Sequence, residues 1–444
     1  MTAPSCVPSY SAVLRTRYAC RTFGAALLGR LSYGMVSLSL LLAIAGGTGS
    51  YAVAGTVMAL FGLTSVFLSP LRAALVDRHG PGRALPPMAI AYALLLGALA
   101  QVTWQPGASG PLLGALAAAA GACTPPLGPV MRTLWSDLLP DKAMLRRAYS
   151  LDSIAEEILF VTGPLLVGVL ASAAVPAAGV AASAVLILVG TLALVRTPPV
   201  RAAAARRAER GPVPKRPRRR DSAAGGSRPR VPISKGLHGV IAVSAGVGLC
   251  LGALELLVVA FADRLHQPGA VPWVLAALSA GSAVGGLVYG AVDWRGSDRS
   301  RLGVLAAGLA LVLATAGLAP NLYVFAALTA LAGVFVAPAM TTAYMIADRT
   351  AAPESRTRDS AWVNTALNAG ISGGTAGVGL LVGQAPLALC FALAAAPALL
   401  TAVGPLIGAD RAGEGAVAEA APPQCDTDTD TDARKTEPSG KSLL

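Results

Sequence analysis

The sequence predicts an all-α polytopic membrane protein of twelve spanning helices in two parallel six-helix halves, and three observations carry that expectation. Of its 444 residues, 54% are hydrophobic and only 13% charged, about half the charged share of an ordinary soluble domain. Twelve apolar stretches, each near the ~20 residues that cross a bilayer core, are separated by charged or Pro/Gly breaks. The basic residues between those stretches fall almost wholly in alternate connections. A soluble enzyme is excluded, because runs such as Phe23 to Ile44 leave nothing to build a polar exterior.

In order along the chain, the spans are expected at 22–45, 52–70, 84–104, 111–131, 150–172, 177–195, 237–261, 271–291, 302–319, 321–346, 360–382 and 386–408. The fifth and eleventh are the least apolar. The first follows Arg15, Arg17 and Arg21, but its apolar run exceeds that of a signal peptide and the remainder is already polytopic. With the N-terminus inside, the cytoplasmic connections hold Arg72, Arg78 and Arg83; Arg132, Lys142, Arg146 and Arg147; Arg295, Arg299 and Arg301; and Arg349, Arg356 and Arg358. The external connections hold Arg264 alone. Both termini are therefore expected in the cytoplasm, with the chain in the cell membrane.

The formal net charge of +12 sits almost entirely in residues 196–235, where 13 Lys or Arg face Glu209 and Asp221. This segment is proline-rich and aperiodic, so it reads as a disordered tether drawn to anionic lipid. No aromatic residues interleave its arginines, which argues against nucleic acid as a partner. The Asp-Thr run at 426–432 marks a low-complexity tail. Six scattered cysteines have no CxxC spacing and suggest neither a metal site nor a redox pair.

The two halves repeat. Asp77, Gly80 and Arg83 recur at the same offsets as Asp293, Gly296 and Arg299. Setting Arg147 on Arg358 brings Gly163 onto Gly374, Gly168 onto Gly379 and Glu157 onto Asn368. Both members of each pair run in one direction, so the repeats are parallel, an arrangement that places a transport site between them. The expected organisation is an N-terminal segment 1–21, a first half 22–195, the basic loop 196–235, a second half 236–408 and a tail 409–444.

With this repeat in place, residues 20–408 resemble the major facilitator superfamily. The loop after span 2 is similar to its Gly-x-x-x-Asp-Arg-x-Gly-Arg pattern through Asp77, Arg78, Gly80 and Arg83, with Ala73 in place of the first glycine. Gly163-Pro164-Leu165-Leu166-Val167-Gly168 resembles a motif of proton-coupled drug exporters, with Val169 in place of the last glycine. Arg30 to Met35, Ser69-Pro70-Leu71-Arg72, Glu156-Glu157, Gly252-Ala253-Leu254-Glu255 and Ala361-Trp362-Val363-Asn364 look like an actinobacterial group of such transporters. The resemblance implies the twelve-helix fold of that superfamily, a cytoplasmic gate at Asp77, Arg78 and Arg83 built as an ion-pair latch, and helix packing or hinging at Gly163, Pro164 and Gly168.

A charge at the centre of a span costs roughly 2.5–3.5 kcal/mol on insertion scales, so each needs a reason. Arg30 either faces a central cavity, binding an anion or a carboxylate, or forms an ion pair with a neighbouring helix. Tyr33 shares its face. Glu156 and Glu157 are candidates for a proton site, the alternative being acids that satisfy nearby arginines. Asp152 reads as the inner end of span 5, answering Arg146 or Arg147. Glu255 is isolated among leucines and is read as a proton carrier or cation contact, the alternative being a pair with a lysine or arginine of another helix. Ser360, Asn364, Asn368 and Ser372 form a stripe at intervals of four, as interhelical glue or as cavity lining.

The expected function is proton-coupled efflux of a small organic compound by alternating access, with import or uniport, or a non-transporting sensor, as alternatives. No phosphate-cradling loop and no clustered catalytic or metal-ligating motif is present in the sequence, so neither an enzyme nor a cofactor is expected, and the chain is expected to work as a monomer.

Overall fold

The computed structural model describes residues 10–104, 107, 109–173, 177–209, 235–292, 294 and 296–402. Most of the basic loop and the whole Asp-Thr tail lie outside the described residues. A short helix α1 (Tyr10–Arg15) precedes α2 (Ala19–Thr48), the first span. The second span is broken into α3 (Tyr51–Phe67) and α4 (Ser69–His79), bent by 42°. Pro70 begins the second piece, since proline has no N–H to continue the ladder. Gly80 alone, at φ 82°, joins α4 to α5 (Pro81–Trp104). The fourth span divides at Thr124-Pro125-Pro126 into α6 (Gly110–Cys123) and α7 (Leu127–Leu138). Helices α8 (Lys142–Ala173) and α9 (Ala177–Val195) complete the first half.

Helix α10 (Pro198–Glu209) occupies the start of the segment in which the sequence predicts no element. Its alanine run favours helix, its prolines occupy the tolerated first turn, and Val200 is buried. The second half comprises α11 (Lys235–Arg264), α12 (Val271–Ala291), α13 (Asp298–Ala316), α14 (Leu322–Thr350), α15 (Arg356–Leu381) and α16 (Leu387–Ala402). Among the described residues, nine helices are long and apolar enough to cross a membrane, with α6–α7 taken as one, and the bent α3–α4 pair brings the number to ten. The more polar α15 and the shorter α16 stand where the eleventh and twelfth spans are expected.

Packing obeys the repeat. In the first half α2 lies on α8 and α9, α3 on α6, and α5 on α6 and α9. The second half answers with α11 on α15, α12 on α14 and α13 on α14. Between the halves, α8 meets α12 and α4 meets α15, which are the same pair with the halves exchanged. This all-α, two-half arrangement is the predicted fold class.

The seam is closed at one end only. Residues 143–157 of α8 are all at least partly covered, whereas 158–173 are mostly exposed apart from the face bearing Gly163 and Val167. Helix α15 changes in the same way, covered from 356 to 371 and thereafter buried mainly at Gly374 and Val378. In the repeat register the two changes fall within one helical turn. The halves therefore meet over the arginine-rich part of the molecule and separate beyond it.

Candidate functional site

Two arginines and two acids from three helices of the first half form a closed network at the seam. Arg30 of α2 lies 2.6 Å from Asp152 and 3.2 Å from Glu156. Arg132 of α7 lies 3.3 Å from Asp152 and 3.0 Å from Glu156. The acids sit four apart on α8 and so share a face, and each carboxylate bridges both guanidinium groups. The charges cancel, which allows Arg30, Arg132 and Asp152 to be almost wholly buried. Glu156 is the member that remains open, with its side chain 32% exposed.

The sequence placed two of these four residues elsewhere. Asp152 is not at a helix end answering Arg146 or Arg147; it is fully buried between Arg30 and Arg132. Arg132 is not in a connection. The proline break restarts the fourth span, and α7 carries Arg132 inward on its buried face beside Leu134 and Trp135. The apolar residues Leu127, Met131, Leu134 and Trp135, at helical spacing around Arg132, are the signal that locates it.

From Arg132 the contacts pass to the second half. Its guanidinium lies 3.6 Å over the ring of Tyr344 on α14, a stacking arrangement suited to a desolvated arginine. The Tyr344 hydroxyl is 3.4 Å from Asn364 Oδ1 on α15. Asn368 donates to the Asn364 carbonyl at 2.8 Å. The asparagine stripe therefore joins the network as interhelical glue at Asn364, and both asparagines stay partly exposed. Glu157 accepts from Ser282 of α12 at 3.0 Å, across the seam. Glu255 is exposed on α11, seven residues after Gly248 and three after Gly252, the glycines that pack on α15. Tyr33 donates to the carbonyl of Pro125 in the broken fourth span.

Arg72 serves the two breaks. It is 5% exposed and donates to the carbonyls of Ser65 at 2.6 Å and Gly121 at 2.9 Å, in the last turns of α3 and α6, where helical carbonyls run short of N–H partners; Gly121 also accepts from Thr124 N–H at 3.4 Å. Its charge also complements the negative ends of those helices.

At the arginine-rich end, Asp77 accepts from the backbone N–H groups of Thr357 at 3.1 Å and Arg358 at 2.8 Å. The acid thus caps the first turn of α15, where the helix dipole favours a negative charge. Arg78 and Arg83, expected to form an ion-pair latch with Asp77, are exposed, and the Asp77 carboxylate lies on the N-terminus of α15. Arg356 reinforces it, 3.3 Å from Asp137 of α7. Thr133 and Thr357 are 3.3 Å apart. Tyr10 of α1 donates to Leu287 O at 2.6 Å and Ser150 to Gly286 O, both reaching α12 from outside the second half.

The glycine motif resolves unequally. A Cβ on Gly163 would collide with the backbone of Gly34, so this glycine lets α8 and α2 touch. Nothing lies within 4 Å of a Cβ on Gly168, and Pro164 is exposed. The packing role expected of Gly168 is therefore corrected: it belongs to Gly34, a residue the motif does not include.

Residues 22–292, more than half of the chain, match the sequence profile of the Major Facilitator Superfamily. No curated protein shows significant sequence similarity. Among solved structures, the chain resembles a bacterial homologue of the iron transporter ferroportin in its outward-facing state, with TM-score 0.66 and 17% identity over 88% of this chain and 99% of that one. It also resembles the human organic anion transporter TETRAN, with TM-score 0.63 and 14% identity over 86% and 98% of the two chains. The E. coli fucose:proton symporter FucP gives TM-score 0.57 and 14% identity over 87% and 98%. At these identities the likeness concerns the fold. With its profile match, its paired halves and its apolar helices, the chain belongs to the Major Facilitator Superfamily and is a multi-pass membrane transporter.

Proposed function

We propose that this transporter exports a small organic compound from the cell in exchange for protons, working by alternating access with its arginine-rich end in the cytoplasm. The observation that carries this reading is the one-sided seam, with a charge network at its inner limit. In this orientation the described form is open to the outside, and the Asp77 contact holds the inside shut. Glu156 carries the proton, because it is the network's exposed acid and both of its arginine partners are buried. Protonation removes one of two negative charges between Arg30 and Arg132. The remaining positive charge alters the hold of Arg132 on Tyr344, which belongs to the other half. A local proton is thus linked to the contact between the halves. The exporter-like Gly163–Gly168 motif supports the outward direction.

The test is substrate-driven proton movement in proteoliposomes under an imposed pH gradient, over a panel of organic cations, neutral compounds and organic acids. Coupled flux is expected, and Glu156→Gln, verified as folded by its elution profile, should uncouple it. Transport that ignores the pH gradient would identify a uniporter instead. Accumulation of substrate with the proton gradient, rather than against it, would identify an importer.

A further inference from the structure

The first half departs from the repeat at two points. Its second and fourth spans are each broken, α3 from α4 and α6 from α7, whereas the matching spans of the second half, α12 and α14, are single helices. One side chain ties the two breaks together. Arg72, in the first turn of α4, donates to the carbonyls of Thr64 at 3.5 Å and Ser65 at 2.6 Å in α3, and to those of Gly121 at 2.9 Å and Ala122 at 3.3 Å in α6. The register that sets Asp77 on Asp293 puts Val288 opposite Arg72, so the second half has no such clasp at this position.

The pieces on either side of the breaks have different neighbours. The outer pieces α3 and α6 lie on each other, so closely that a Cβ on Gly121 would collide with the backbone of Phe61. The inner pieces α4 and α7 touch each other, and both meet α15. Between them they carry the gate: Asp77 on the N–H groups of Thr357 and Arg358, Asp137 beside Arg356, and Thr133 beside Thr357. Level with the breaks, Thr365 of α15 donates to the carbonyl of Val66 in the last turn of α3 at 3.1 Å. Helix α7 also holds Arg132, so the charge network and the gate share the same 12 residues. The matching contact across the seam, α8 on α12, joins two unbroken helices.

We infer that Arg72 is the pivot of a hinged inner gate, in which α4 and α7 swing together away from α15 about the two breaks while α3 and α6 keep their places. This rests on the transport reading above and names the part that moves first when the halves separate. Hinges form where a few element-terminal residues absorb the turn, and a break inside a span persists only where its freed backbone groups find partners. The guanidinium, a planar fork of N–H donors, supplies them to both breaks at once, so the two inner pieces turn about one point. Loss of the Glu156 charge leaves Arg132 with Asp152 alone, and α7 passes this change to Thr133 and Asp137 within the same helix.

Distances between paired spin labels test the inference in the full-length chain in nanodiscs, with the other cysteines replaced. Two pairs lie within the first half, from the exposed Cys20 on α2 to His79→Cys on α4 and from Cys20 to Pro140→Cys just after α7. A third spans the gate, from His79→Cys to Glu354→Cys. Asp77→Asn releases the gate. Helix α4 is about 16 Å long at roughly 1.5 Å per residue, so a turn of ~20° moves its tip by about 5 Å. The distance across the gate should lengthen, and both distances within the half should change with it by about that amount. A gate that opens with the internal distances unchanged means that the half rocks as one body and overturns the inference, as does a gate that stays shut. Adding Arg72→Lys, verified as folded by its thermal midpoint, leaves an ammonium that cannot hold both breaks, so the movements at α4 and α7 should separate; joint movement as before removes the pivot. The proton-flux assay distinguishes the two readings: coupled flux with a rigid first half retains the exporter and removes the hinge, and a hinged gate without substrate-driven flux does the reverse.

Discussion

Asp152 shows how far a single residue departs from its local sequence. Two residues past the buried Arg147–Ser150 stretch, it looks like an acid at the entrance of a span. In the folded chain it is the fully buried bridge between Arg30 and Arg132. Removing one partner of a buried ion pair costs roughly 3–5 kcal/mol, because the remaining charge is left uncompensated. Asp152→Asn should therefore lower the thermal midpoint of the purified protein steeply. Adding Arg30→Met restores charge balance around Arg132 and Glu156 and should recover much of the loss. A single variant as stable as the parent would refute the bridging role. Arg30 and Glu156 are visible in the sequence because a charge deep in an apolar run stands out. Arg132 is not, because hydropathy ends the fourth span at residue 131, just where the proline break lets the helix begin again.

At the scale of elements, apolar length reveals where spans lie, while packing between them depends on atoms that no run of hydrophobic letters records. The glycine motif on α8 illustrates this. Gly163 and Gly168 look alike in sequence, yet one meets the backbone of Gly34 and the other meets nothing within 4 Å. Gly163→Ala should force α2 and α8 apart and cost about 1–3 kcal/mol, as overpacking does. Gly168→Ala should be neutral or stabilise the helix by up to about 1 kcal/mol. Thermal unfolding of the two variants in detergent compares them directly, and equal effects would mean that α2 and α8 do not touch at this point. Breaks in α3–α4 and α6–α7 were legible only as prolines. That a single arginine, Arg72, would serve the carbonyls at both breaks follows from their adjacency in space.

For the whole molecule, the repeat in the sequence anticipates the exchange symmetry of the packing, since α8 on α12 and α4 on α15 are equivalent pairs. The gate breaks that symmetry through specific polar contacts. Asp77 on the N-terminus of α15 is worth up to about 2 kcal/mol in a partly buried setting. Asp77→Asn should loosen the arginine-rich end without preventing folding. A cysteine placed at the buried Ser360 should then react several-fold faster with a thiol reagent added from that end, and an unchanged rate would show that the closure does not depend on this carboxylate.

The one-sided seam also determines where a membrane voltage acts. In the orientation proposed above, water in the open part would carry the outer potential inward as far as Glu157, and the field would fall across the closed stretch. That stretch is 143–157 of α8, about 22 Å at roughly 1.5 Å per residue. An ion entering from the open side would cross little of the field before it binds. When the halves rock, the same ion changes sides electrically with hardly any movement of its own, at roughly 2.3 kcal/mol per unit charge per 100 mV. Voltage should therefore govern the rate of rocking and leave binding almost untouched.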